Sequence, residues 1–231
     1  MVKLTDISIS SGSSNPKALT FNREVRCVED LFLSNFSPVT TTGVKKINVG
    51  IYDYNLDSHK LEKYKVPVNQ SQLLIDIAHV NHYFDFDKYL KEPAEKRKRI
   101  VLDLLFQSCL KVCQAENLDT INFKSAYDAC LTQGLKNAFY NKEKAWNRNR
   151  SLYVNLKIVF EIDYFLGIVE VCNKEGTQLL EKELFKVSPV MVQHPFFNKV
   201  KWLSLNKFRI SPKSFFNQLT DDEFWDIEVK V

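Results

Sequence analysis

Glycine is scarce in this chain: six occur among 231 residues, and none falls in a G-x-G-x-x-G or G-x-x-x-x-G-K arrangement. Backbone loops that cradle phosphates depend on such glycines, so nucleotide-gripping enzymes are disfavoured and no cofactor is expected. The cysteines number five, Cys27, Cys109, Cys113, Cys130 and Cys172. An odd set of widely spaced thiols inside apolar stretches suits buried packing, not a disulfide framework, and points to a reducing, cytoplasmic setting. No window approaches the roughly 18 uninterrupted apolar residues that span a bilayer, and Met1-Val2-Lys3-Leu4-Thr5-Asp6 lacks the apolar run of a secretory leader. Membrane insertion is therefore not expected. An acidic excess is missing too. With 28 acids against 32 bases the net charge is +4, which argues against an inhibitor that imitates nucleic acid.

What the chain does carry is a large apolar share, 45% hydrophobic and 13% aromatic, enough for a substantial core. From Phe123 to Phe139 the residues Phe123, Ala126, Tyr127, Cys130, Leu131, Gly134, Leu135, Ala138 and Phe139 recur at intervals of three and four, the stripe of an amphipathic helix. Pro93 and Glu95 open another helix that runs to about Glu116 and is apolar on most sides. Leu152 to Ile162 alternates with period two, followed by Phe165 to Cys172, a loop over Asn173-Lys174-Glu175-Gly176, and Gln178 to Phe185, which together read as a β-meander. Upstream, Leu4 to Ser10, Glu24 to Leu33 and Lys46 to Tyr54 read as strands. The last of these is expected to turn at Asn55-Leu56-Asp57-Ser58 and return through Tyr64, Val66 and Val68 as a hairpin, with Pro67 at an edge. Strand patterns resume at Val200 to Leu205, Phe208 to Ile210 and Trp225 to Val231, with a brief helix after Ser211-Pro212. The expected class is α+β: a largely antiparallel sheet with a two-helix hairpin packed on one face. The expected organisation is one domain over residues 1–231, with a β-rich N-terminal part at 1–90, a helical hairpin at 91–145 and antiparallel strands at 150–231.

Reactive chemistry has little to anchor it. His79 and His82 share one helix face if their segment is helical and take opposite faces if it is a strand, and no second His or Cys pair completes a ligand set, so no metal site is assigned. Cys109 and Cys113 lie on a buried helix, where desolvation suppresses thiolate formation. No nucleophile elbow marks a catalytic serine, and no catalytic residue is assigned.

Basic and aromatic clusters are the better candidates. Lys96-Arg97-Lys98-Arg99 stands near a helix start, and Lys142, Lys144, Trp146, Arg148 and Arg150 follow one another in nine residues. Guanidinium groups interleaved with an indole suit phosphates and bases, so these five residues form the nucleic-acid alternative. The same composition suits a protein hot spot. Trp146, Arg148, Arg150 and Phe197 are the candidate contacts for a protein partner. The functional expectation is a non-enzymatic, soluble, cytosolic protein-binding module, of the immunity or inhibitor kind that neutralises a toxin or enzyme by stoichiometric binding. Nucleic-acid binding is the alternative, and a hydrolase with a dispersed active site is the third reading.

Overall fold

A computed structural model describes residues 1–140, 144–188, 200–211 and 224–230. Helices and strands, in several mostly antiparallel sheets, make up the α+β class expected. The chain divides into two compact units, Met1–Asn137 and Ala138–Val231.

The first unit opens with β1 (Val2–Leu4), β2 (Asp6–Ser11) and α1 (Ala18–Asn35), then β3 (Val39–Thr41), which pairs antiparallel with β1. Helix α1 replaces the strand expected over Glu24 to Leu33. Val25, Cys27, Leu31 and Leu33 mimic period two over a short window. Extending the window back to Phe21 exposes the helical set Phe21, Val25, Val28 and Phe32, all buried. The helix also completes the open edge of β2. Glu29 accepts the Ile9 N–H at 2.9 Å, and Asn22 accepts from the Ser11 N–H at 2.6 Å while donating to its carbonyl at 3.0 Å. Edge groups that no neighbouring strand pairs are thereby satisfied by side chains.

Next come β4 (Lys46–Asp53), α2 (Tyr54–Lys63), β5 (Ser71–Leu74) and β6 (Ile77–Phe84). The sheet runs β2-β4-β6-β5; the first three strands are parallel and β5 is antiparallel to β6. The hairpin expected after β4 does not form. Asp53 accepts the N–H groups of Asn55 and Leu56 and so starts a helix in place of the expected turn, because Asp, Asn and Ser favour helix starts as much as turns. Pro67 lies in the link after α2, not in a strand, and its carbonyl accepts from the Asn81 amide.

The unit closes with α3 (Phe86–Lys91), α4 (Ala94–Glu116) and α5 (Ile121–Thr132). Helix α4 packs on β4, β5 and β6, and both α4 and α5 lie against α1. Helix α5 stops before the expected Phe139 because Gly134 takes φ +60°, and the Leu135 N–H bonds back to the Cys130 carbonyl. Tyr127 sits at the margin of its apolar stripe, half-buried, where its hydroxyl donates to Asp103 at 2.8 Å and its ring stacks on Phe106.

The second unit contains the meander. After β7 (Asn137–Tyr140) and β8 (Ala145–Trp146) come β9 (Leu152–Phe160), β10 (Phe165–Asn173) and β11 (Gln178–Val187), in the order β11-β10-β9-β7, with β8 also on β9. Gly176 adopts φ +91° in the Asn173–Thr177 loop, as that turn requires. A small antiparallel sheet is made of β12 (Lys201–Trp202), β13 (Lys207–Ile210) and β14 (Trp225–Glu228). The helix expected after Ser211-Pro212 lies outside the described residues.

Candidate functional site

The basic and aromatic segment folds as the β8–β9 hairpin. Ala145 and Trp146 pair with Val154 and Tyr153, and the chain reverses over the residues between. Buried Asn147 organises that turn. Its backbone N–H donates to the Leu152 carbonyl at 3.0 Å, and its carbonyl accepts from the Arg150 N–H at 3.1 Å. Its Oδ1 accepts from the N–H groups of Ser151 and Leu152 at 3.0 and 3.2 Å, and its Nδ2 donates to Ser151 Oγ at 3.1 Å and to the Leu205 carbonyl at 2.9 Å. An amide side chain supplies two N–H donors and a carbonyl acceptor at once. The bond to Leu205 ties the hairpin to the turn between β12 and β13. A second tie is the Trp202 indole N–H, which donates to the Ala145 carbonyl at 3.0 Å.

Those two bonds gather exposed side chains from two segments. Trp146 is 37% exposed, Leu203 44% and Leu205 53%, and Lys144, Arg148 and Arg150 are exposed on either side of Trp146 in the chain. The Trp146 ring centre lies 4.8 Å from that of Tyr153, and Lys144 Nζ stands 4.2 Å from the same phenol ring, so a buried tyrosine braces both the indole and the cation. Arg150 has φ +57°, a left-handed conformation that costs a non-glycine residue about 1 kcal/mol or more. Lys142 and Phe197 lie outside the described residues. Leu203 and Leu205 escaped sequence reading because their alternation around Ser204 looks like the inward face of a strand, whereas the strand ends at Trp202.

The other basic cluster is spent within the first unit. Lys96 pairs with Glu92, Arg97 with Glu24 and Arg99 with Asp103, while buried Lys98 donates to the Leu135 carbonyl at 3.1 Å.

One constellation was not anticipated. His82 on β6 places Nε2 2.8 Å from Ser108 Oγ on α4 and Nδ1 2.9 Å from the side-chain amide of Asn69. The spacing is that of a nucleophile, a base and an orienting group. Ser108, however, is 0% exposed and donates its hydroxyl to the Leu104 carbonyl at 2.6 Å. A substrate cannot reach it, and its proton is already committed. Burial, reinforced by the Lys111 charge, pushes the His82 pKa down to about 4 and keeps the ring neutral. This network fastens the Asn69 link and α4 to the sheet.

His79 and His82 stand on a strand three residues apart, so they take opposite faces. Among the described residues no three His, Cys, Asp or Glu side chains converge as a metal site would require. Burial pushes the Cys113 thiol up to about 11 and the Cys109 thiol further still, which leaves both protonated. Comparisons with family models, with curated proteins and with solved structures find no match to this chain.

Proposed function

We propose that this protein is a non-enzymatic protein-binding module that acts by stoichiometric complex formation through the hairpin surface of Lys144, Trp146, Arg148, Arg150, Leu203 and Leu205. The observation that carries the reading is an exposed indole and two exposed arginines on a turn locked by Asn147, whose amide also holds the backbone of the segment that exposes Leu203 and Leu205. Trp and Arg on a rigid support are the residue types that dominate protein interfaces, and a preformed turn limits the entropy lost on binding. An immunity or inhibitor protein, which masks a toxin or enzyme by occupying its surface, is one form such a module takes.

Nucleic-acid binding draws less support. The leucines offer neither a hydrogen bond nor a π-face to a base, whereas a protein surface can cover them together with the indole. The Asn69–His82–Ser108 network does not favour a hydrolase, since its serine is sealed.

The test is affinity capture from the native cell with tagged wild-type protein, Trp146→Ala and Leu205→Ala, each checked for an unchanged melting temperature. The expected result is a complex of fixed stoichiometry that both variants weaken. Capture undiminished in both, or retention of single-stranded DNA or RNA at low salt in place of a protein, would remove the reading.

A further inference from the structure

We infer that the partner's contact surface is acidic, with carboxylates placed to meet Arg148 and Arg150 around an apolar centre that covers Trp146, Leu203 and Leu205; this inference rests on the protein-binding reading. Of the five other arginines, four are matched internally: Arg26 with Glu29, Arg97 with Glu24, Arg99 with Asp103 and Arg209 with Asp226. Among the described residues, Lys144, Arg148 and Arg150 have no carboxylate within ion-pairing distance.

Their placement sharpens the inference. Arg150 occupies a left-handed backbone position that glycine or asparagine would fill at lower cost, and Asn149 stands next to it in sequence. Keeping the guanidinium there holds two arginines on one braced turn, with Lys144 fixed over Tyr153 at its base. The backbone of Lys174 reaches the same turn, its N–H donating to the Ser151 carbonyl at 3.0 Å, while its ammonium stands 3.6 Å from Glu175. Guanidinium groups are strong, directional carboxylate ligands, because each can bind bidentately. Phosphate would meet the same charges but would leave Leu203 and Leu205 uncovered, so a carboxylate-bearing protein fits the whole patch better.

The experiment is zero-length carbodiimide coupling of the captured complex from nuclease-treated lysate, read by mass spectrometry. That reagent joins a lysine only to a carboxylate in contact. Lys144 or Lys174 should couple to Asp or Glu side chains of the captured partner. Arg148→Glu with Arg150→Glu should weaken capture by about tenfold or more, and an Asp or Glu to Arg change at the mapped partner position should restore it. Arg148→Gln with Arg150→Gln serves if the charge reversal perturbs folding. Capture that survives both double variants yet is lost in Leu203→Ala with Leu205→Ala overturns the acidic partner and leaves the binding module standing. Recovery of no stoichiometric protein, or capture that nuclease abolishes, overturns both.

Discussion

Acidification should destabilise the first unit through His82. The folded protein holds the ring neutral, with its pKa lowered from 6.5 to about 4 by burial and then by Lys111, and both nitrogens face uncharged partners, Asn69 and Ser108. In the unfolded chain the same ring protonates near 6.5. Between those values the unfolded state binds more protons, so the contribution of His82 is complete above about pH 6.5 and drains away as the pH falls toward 4. At about pH 5.0, some 1.5 units below the unfolded value, 1.36 kcal/mol per unit amounts to roughly 2 kcal/mol. Other groups titrate in this range. Glu29, whose carboxyl is raised mainly by burial, contributes with the opposite sign, holding its proton longer in the folded state. Comparison with His82→Gln cancels these shared terms. Urea unfolding at about pH 7.5 and about pH 5.0 should show wild type losing about 2 kcal/mol more than the variant. Equal losses would mean that His82 titrates normally in the fold, and the buried network would be wrong.

Three further outcomes follow from local geometry. Ile75 is 97% exposed at φ +60°, so Ile75→Asn sheds a left-handed penalty without losing burial and should raise stability by about 1 kcal/mol, seen as a rise in melting temperature; a fall would show that the isoleucine packs. A Cβ on Gly167 would stand 2.2 Å from Cε1 of Phe185, so Gly167→Ala should cost about 1 to 3 kcal/mol in chemical denaturation, and a neutral result would show that the Phe185 ring swings freely. Asn147→Ala removes the side chain that holds the hairpin and the Leu205 turn, so it should lower stability by about 1 to 3 kcal/mol and reduce partner capture even at temperatures where the protein stays folded. Capture at the wild-type level from that variant would detach the turn geometry from binding.

The meander, the Asn173–Thr177 loop and the long helix behind Pro93 are legible in the residues alone, because each is governed by near-neighbour spacing: alternation over nine residues, a glycine at positive φ, an apolar helix with a proline start. The sequence also delivered Trp146, Arg148 and Arg150 as one segment. Tertiary structure alone decided the rest. Whether Lys46–Asp53 pairs with an antiparallel return or with two parallel strands depends on what fills the next ten residues, and Asp53 settles that by capping a helix with its own side chain. Leu203 and Leu205 became surface only because the strand ends at Trp202 and Asn147 binds the Leu205 carbonyl across 58 positions of chain. His82 found Ser108 through a helix packed on a sheet. Local propensity acts over a few residues, whereas a hydrogen bond between distant segments exists only once the chain between them has folded.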